Sequence, residues 1–148
     1  MTSSARIIKH AAAVVCALLL AACVTREPSP AEVDARQFKT VAGKAVVYVY
    51  RDRLDALDSQ AVIMLDGQMQ GASYRASFFR FELAPGRHHL DGYAGDSGHF
   101  DFAVDAGGLY FIRHSLGRIV GRDYSVFRPA PQETGRAAVL QYEMNNIP

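Results

Sequence analysis

The stretch KAVVYVYR, Lys44 to Arg51, decides the class of fold. It is β-branched and aromatic almost throughout, a composition suited to a packed, pleated surface. Side chains on a strand alternate between faces. Val46, Tyr48 and Tyr50 therefore share one side, and Ala45, Val47 and Val49 share the other. Both sides are apolar, which predicts a strand covered on both faces, as in a sandwich interior. RDRLDALDSQ, Arg51 to Gln60, then breaks the pattern with three aspartates and reads as a surface loop.

Further along, the alternation returns. AVIMLDGQMQG, Ala61 to Gly71, is a hairpin signal, because Asp66-Gly67 suits a tight turn that needs positive φ. YRASFFRFEL, Tyr74 to Leu83, puts Phe79, Phe81 and Leu83 on one face and Arg80 and Glu82 on the other. APG, Ala84 to Gly86, turns the chain. RHHLDGY, Arg87 to Tyr93, and HFDFAVD, His99 to Asp105, read as the next pair. LYFIRHSL, Leu109 to Leu116, follows the AGG turn, and RDYSVFRP, Arg122 to Pro129, is a weaker strand. QETGRAAVLQYEM, Gln132 to Met144, predicts a short helix or a last strand, with Gly135 counting against the helix. The sum is a mainly β chain: an antiparallel β-sandwich of about seven strands over residues 41–148, with a short C-terminal helix.

The chain has 148 residues, 49% hydrophobic and 21% charged, with no tryptophan, seven tyrosines and eight phenylalanines. That suits one domain with a real core plus a targeting segment. No basic stripe or run of like charge is present, which excludes nucleic acid as the expected partner. Removing Arg6 and Lys9 with a leader leaves 14 basic residues against 15 acidic, a net charge of −1.

Residues 1–22 have the parts of a secretory signal peptide. Arg6, Lys9 and His10 precede the apolar run AAAVVCALLL, Ala11 to Leu20. That run is short against the roughly 20 residues a spanning helix needs. It ends in LAAC, Leu20 to Cys23, which resembles the lipobox of bacterial lipoproteins. The resemblance implies cleavage before Cys23, a diacylglyceryl thioether on its sulfur and a further acyl chain on the new terminus. Such a group anchors a chain durably. Val24 stands where an aspartate would resemble an inner-membrane retention signal. By that analogy the anchor lies in the outer membrane of the cell envelope, facing the periplasm. Cys16 leaves with the leader, so the mature domain is expected to have no disulfide.

Residues 23–40 then read as the acylated terminus and a flexible linker, polar and broken by Pro28 and Pro30. With or without a short helix, its stretch from Val24 to Gln37 would lift the domain roughly 20 to 40 Å, at about 3 Å per extended residue. A short helix starting at Ser29 and Pro30 is the alternative within it.

GKAVVYVYR, VIMLDGQMQG, FELAPGRHHL, AGGLYFIR and GRAAVL resemble segments of bacterial lipoproteins carrying domain of unknown function 2846. The order of strands and turns is also similar to small transthyretin-like and PEGA-type sandwiches. The resemblance implies a β-sandwich used as an accessory module. It carries over no catalytic residues.

The best cluster for chemistry is His89, Asp91, His99 and Asp101. A register with Leu90 opposite Phe100 puts Asp91 opposite His99 and His89 opposite Asp101, because core faces must match across a hairpin. Two histidines and two carboxylates on one face are candidate ligands for a divalent metal such as zinc. The alternative is two complementary cross-strand pairs on a solvated face. His88 and His114 read as packing residues. Arg51, Arg53 and Arg113 form a candidate anion-binding rim, against the simpler reading of solvated strand ends. No G-x-S-x-G, C-x-x-C or glycine-rich phosphate loop occurs, so neither an enzyme nor a cofactor is expected. The expected function is a membrane-anchored envelope lipoprotein whose sandwich binds another envelope protein, with Tyr74 and Tyr93 as contact residues. Binding of a small ligand or metal on the His/Asp face is the alternative.

Overall fold

A computed structural model describes residues 26–94 and 97–145. The leader, Cys23 and the first residues after it lie outside the described residues. The elements run α1 (Pro30–Ala35), β1 (Ala45–Arg51), β2 (Ala61–Leu65), β3 (Gln68–Ser73), β4 (Ser77–Leu83), β5 (Gly86–Tyr93), β6 (Ser97–Val104), β7 (Leu109–Ile119), β8 (Arg122–Pro129), α2 (Gln132–Gln141) and β9 (Glu143–Met144). Two sheets face each other in a sandwich-like domain. One has the order β8-β7-β1-β4-β9, the other β3-β2-β5-β6.

The four-stranded sheet is antiparallel, as expected. The five-stranded sheet is mixed: β1 pairs antiparallel with β4 but parallel with β7, and β4 pairs parallel with β9. The expectation of a purely antiparallel sandwich of about seven strands is thus corrected to nine strands among the described residues, one of only two residues. Crossovers are the physical reason. The chain leaves the five-stranded sheet after β4 and returns as β7 beside β1, and it crosses from β8 through α2 to β9 beside β4; each crossover brings a strand back in the same direction as its neighbour.

The two faces of β1 part as the alternation predicts. Ala45, Val47 and Val49 enter the core between the sheets, with Ile63, Phe79, Leu90 and Phe127. Val46, Tyr48 and Tyr50 point the other way, into a second core with Phe78, Phe111, Ala35 and Val139. Helices α1 and α2, not a third sheet, cover that outer face.

The tether expected over residues 23–40 is correspondingly shorter. Ser29 Oγ accepts from the Glu32 N–H at 3.2 Å and Pro30 occupies the first turn, which starts α1. Ala35 is buried in that second core, and its carbonyl accepts from the Tyr48 hydroxyl at 2.6 Å. Gly135 sits inside α2 because a Cβ there would lie 2.3 Å from the Phe111 ring. Close packing outweighs the helix-weakening effect of glycine, about 1 kcal/mol. Among the described residues no helix is long and apolar enough to cross a membrane.

Candidate functional site

Alternation along β5 and β6 turns Leu90, Phe100 and Phe102 inward, and this places His89, Asp91, His99 and Asp101 on the outer face of the four-stranded sheet. The register has Leu90 opposite Phe100, Asp91 opposite His99 and His89 opposite Asp101. His89 sits between two carboxylates. Its Nδ1 is 2.7 Å from Asp101 Oδ1 and its Nε2 is 2.9 Å from Asp91 Oδ1. The His99 ring stacks beside it at 6.1 Å.

Asp101 and then Asp91 hold the His89 imidazolium above the ordinary histidine value. The same hydrogen bond holds the Asp101 carboxyl below the usual carboxylate range. As the imidazolium, with both ring nitrogens donating to carboxylates, His89 has no lone pair to offer a metal. Among the described residues, no group of three or more His, Cys, Asp and Glu side chains is placed to hold a metal ion.

His88 lies at the edge of the core, its ring 5.8 Å from that of Phe102. Its Nδ1 is 2.7 Å from Asp66 Oδ2, and its Nε2 donates to the Ala84 carbonyl at 2.8 Å. Burial favours its neutral form, but the Ala84 carbonyl and the Asp66 carboxylate prevail and hold its pKa above the ordinary value.

The candidate arginine rim is not one site. Arg113 Nε pairs with Asp52 Oδ2 at 2.7 Å, and Arg53 is exposed. Arg51 is fully buried. Its Nε donates to Asp55 Oδ2 at 2.6 Å, Nη1 to the Ser59 carbonyl at 2.6 Å, and Nη2 to the Leu57 carbonyl. Asp55 Oδ2 also accepts from the Leu116 N–H at 3.0 Å. Arg51 shares the inward face with Val47 and Val49, so it ends the core strand as a polar plug between the sheets. The signal was present in the alternation, with an aspartate four residues on to receive the charge.

His114 stands opposite Arg51 in the β1–β7 register and is also fully buried. Ser73 Oγ lies 3.0 Å from its Nδ1 and Ser125 Oγ lies 2.9 Å from its Nε2, while the Phe127 ring stacks at 4.9 Å. Each hydroxyl is itself on a buried residue, so the pair is sealed from any substrate. Burial, reinforced by the Arg51 charge, lowers the His114 pKa to about 3.

A stability profile follows with a definite sign. The unfolded chain takes up a proton at this site below pH 6.5 or so, and the native state refuses it until about pH 3. Stability contributed by neutral His114 is therefore lost as pH falls, by about 1.4 kcal/mol per pH unit. His88 and His89 act oppositely: with raised folded values, their contribution is present below pH 6.5 or so and lost on raising the pH. Urea midpoints for wild type and His114→Gln at pH 6.5 and 5.0 should show the slope in wild type only. Parallel profiles would refute the assignment.

No family model matches the chain, and no curated protein sequence matches it. The resemblance to domain of unknown function 2846 rests on the quoted segments alone. The coarse architecture it implies, a mainly β two-sheet domain, is the one found.

Proposed function

We propose that this chain is a lipid-anchored bacterial envelope protein, held through Cys23 in the outer membrane and facing the periplasm. Its sandwich acts without catalysis, as a module that binds another envelope protein. The observation that carries the binding role is the asymmetry of the two sheets. Among the described residues, α1 and α2 pack on the five-stranded sheet and no helix covers the outer face of the four-stranded sheet. On that face Val62 and Tyr93 are register partners, 37% and 45% exposed, beside the His89–Asp101 and Asp91–His99 rows. Tyr93 is of a residue type enriched at interface hot spots, and the His/Asp rows beside it have the character of a polar rim. LAAC at Leu20 to Cys23 supports the anchor.

The test is crosslinking in cells with mass spectrometry, comparing wild type, Cys23→Ser and Tyr93→Ala. One dominant envelope partner is expected in wild type, lost in Cys23→Ser and reduced several-fold in Tyr93→Ala. Membrane association unchanged in Cys23→Ser would remove the anchor. Identical crosslinks in Tyr93→Ala would remove this face as the contact.

A further inference from the structure

One end of the sandwich gathers the loop at 52–60, the turn at 74–76 and the β7–β8 tip. Arg75 Nε donates to Asp58 Oδ1 at 2.8 Å, and Ser59 Oγ donates to Asp123 Oδ2 at 2.5 Å, which ties the three together. The two barest large apolar side chains among the described residues are here, Val120 at 98% and Leu54 at 91% exposure, with Ile119 at 61%. Val120 also sits at φ +47, followed by Gly121 at +78. That two-residue turn favours Asn-Gly, and a β-branched residue at positive φ is strained. The turn needs that backbone but not a valine in it, and a strained residue whose apolar side chain stands in water points to a surface that receives it. Each tip has an arginine beside it, Arg53 next to Leu54 and Arg122 after the turn. Neither makes an ion pair among the described residues.

The chain enters at this same end. Arg26 lines a cleft of about 590 Å³ together with Arg53, Tyr74 and Arg75. Cys23 precedes Arg26 by three residues, which reach about 11 Å at most. Resting on the reading of Cys23 as the acylated residue, we propose that this end lies on the anchoring membrane. Leu54, Ile119 and Val120 enter the boundary between headgroups and acyl chains, and Arg53 and Arg122 meet anionic lipid phosphates. Apolar tips flanked by unpaired cations match that boundary in both chemistry and charge. The short span from Cys23 brings the surface within reach, where a long tether would have left it free.

The test reconstitutes the full-length protein in vesicles of phosphatidylcholine and phosphatidylglycerol carrying a nitroxide-labelled phospholipid. Leu54→Cys, Val120→Cys and, at the opposite end, Asp105→Cys are each labelled with an environment-sensitive fluorophore, with the unsubstituted chain as the blank. Nitroxide quenching is expected to be several-fold greater at 54 and 120 than at 105. Equal quenching at all three sites, or none, overturns the proposal. A blue shift at 120 without quenching also overturns it, since the tip then packs on protein. The mass of the N-terminal peptide reads acylation separately. Quenched tips with an unmodified Cys23 keep the surface and remove the anchor; unquenched tips with an acylated Cys23 do the reverse.

Discussion

Replacing Arg51 with methionine should destabilise the domain by about 3–5 kcal/mol, the range for breaking a buried ion pair from one side. The substitution leaves the Asp55 carboxylate buried against the Leu116 N–H without its cation. It also strips a donor from the Ser59 and Leu57 carbonyls, which Arg51 holds in place to shape the loop at 52–60. The damage lies in the orphaned partners more than in the lost attraction. Arg51→Met combined with Asp55→Leu should therefore recover part of the loss, and a double-mutant cycle from urea denaturation measures it. A single Arg51→Met change below about 1 kcal/mol would show that the plug is wetter than its burial indicates.

Gly98→Ala should cost about 3 kcal/mol, the upper part of the range for overpacking. A Cβ at this position would lie 1.8 Å from the backbone oxygen of Ser125. No rotamer change relieves a clash with backbone, so β6 and β8 must separate where the two sheets close on each other. The separation also disturbs Ser125, whose hydroxyl contacts His114. Thermal unfolding compared with Ala103→Gly, on the exposed face of the same strand, distinguishes the clash from a general weakening of β6. Equal losses would argue against close approach as the reason for this glycine.

Much of the local structure was legible in the sequence. The two faces of β1 and the β5–β6 register follow from alternation and from the need to match core faces across a hairpin, both local rules. What escaped depends on distant segments. The parallel β1–β7 pair joins residues some sixty positions apart, and alternation carries no strand direction. Arg51 looks like a rim residue in the sequence because arginine is rarely buried, although continuing the β1 alternation by one step puts it on the inward face. The shortening of the tether required knowing that Ala35 meets Tyr48 and Tyr50. For the His/Asp face the residues and register were legible, but the convergence on His89 was not. It depends on which rotamers bring Asp91 and Asp101 to the two ring nitrogens.

The parallel pair also bears on how the chain reaches its native state. β1 is the central strand of its sheet, and one of its two edges must wait for β7. Until residues 109–114 arrive, VVYVY presents unpaired backbone groups with no charge to repel a second chain. Closing so long a loop before any contact rewards it slows the search, toward the millisecond-to-second folding of sheet proteins rich in non-local pairings. During that interval the strand that defines the core is also a segment open to self-association, and the arrival of β7 is what closes its second edge.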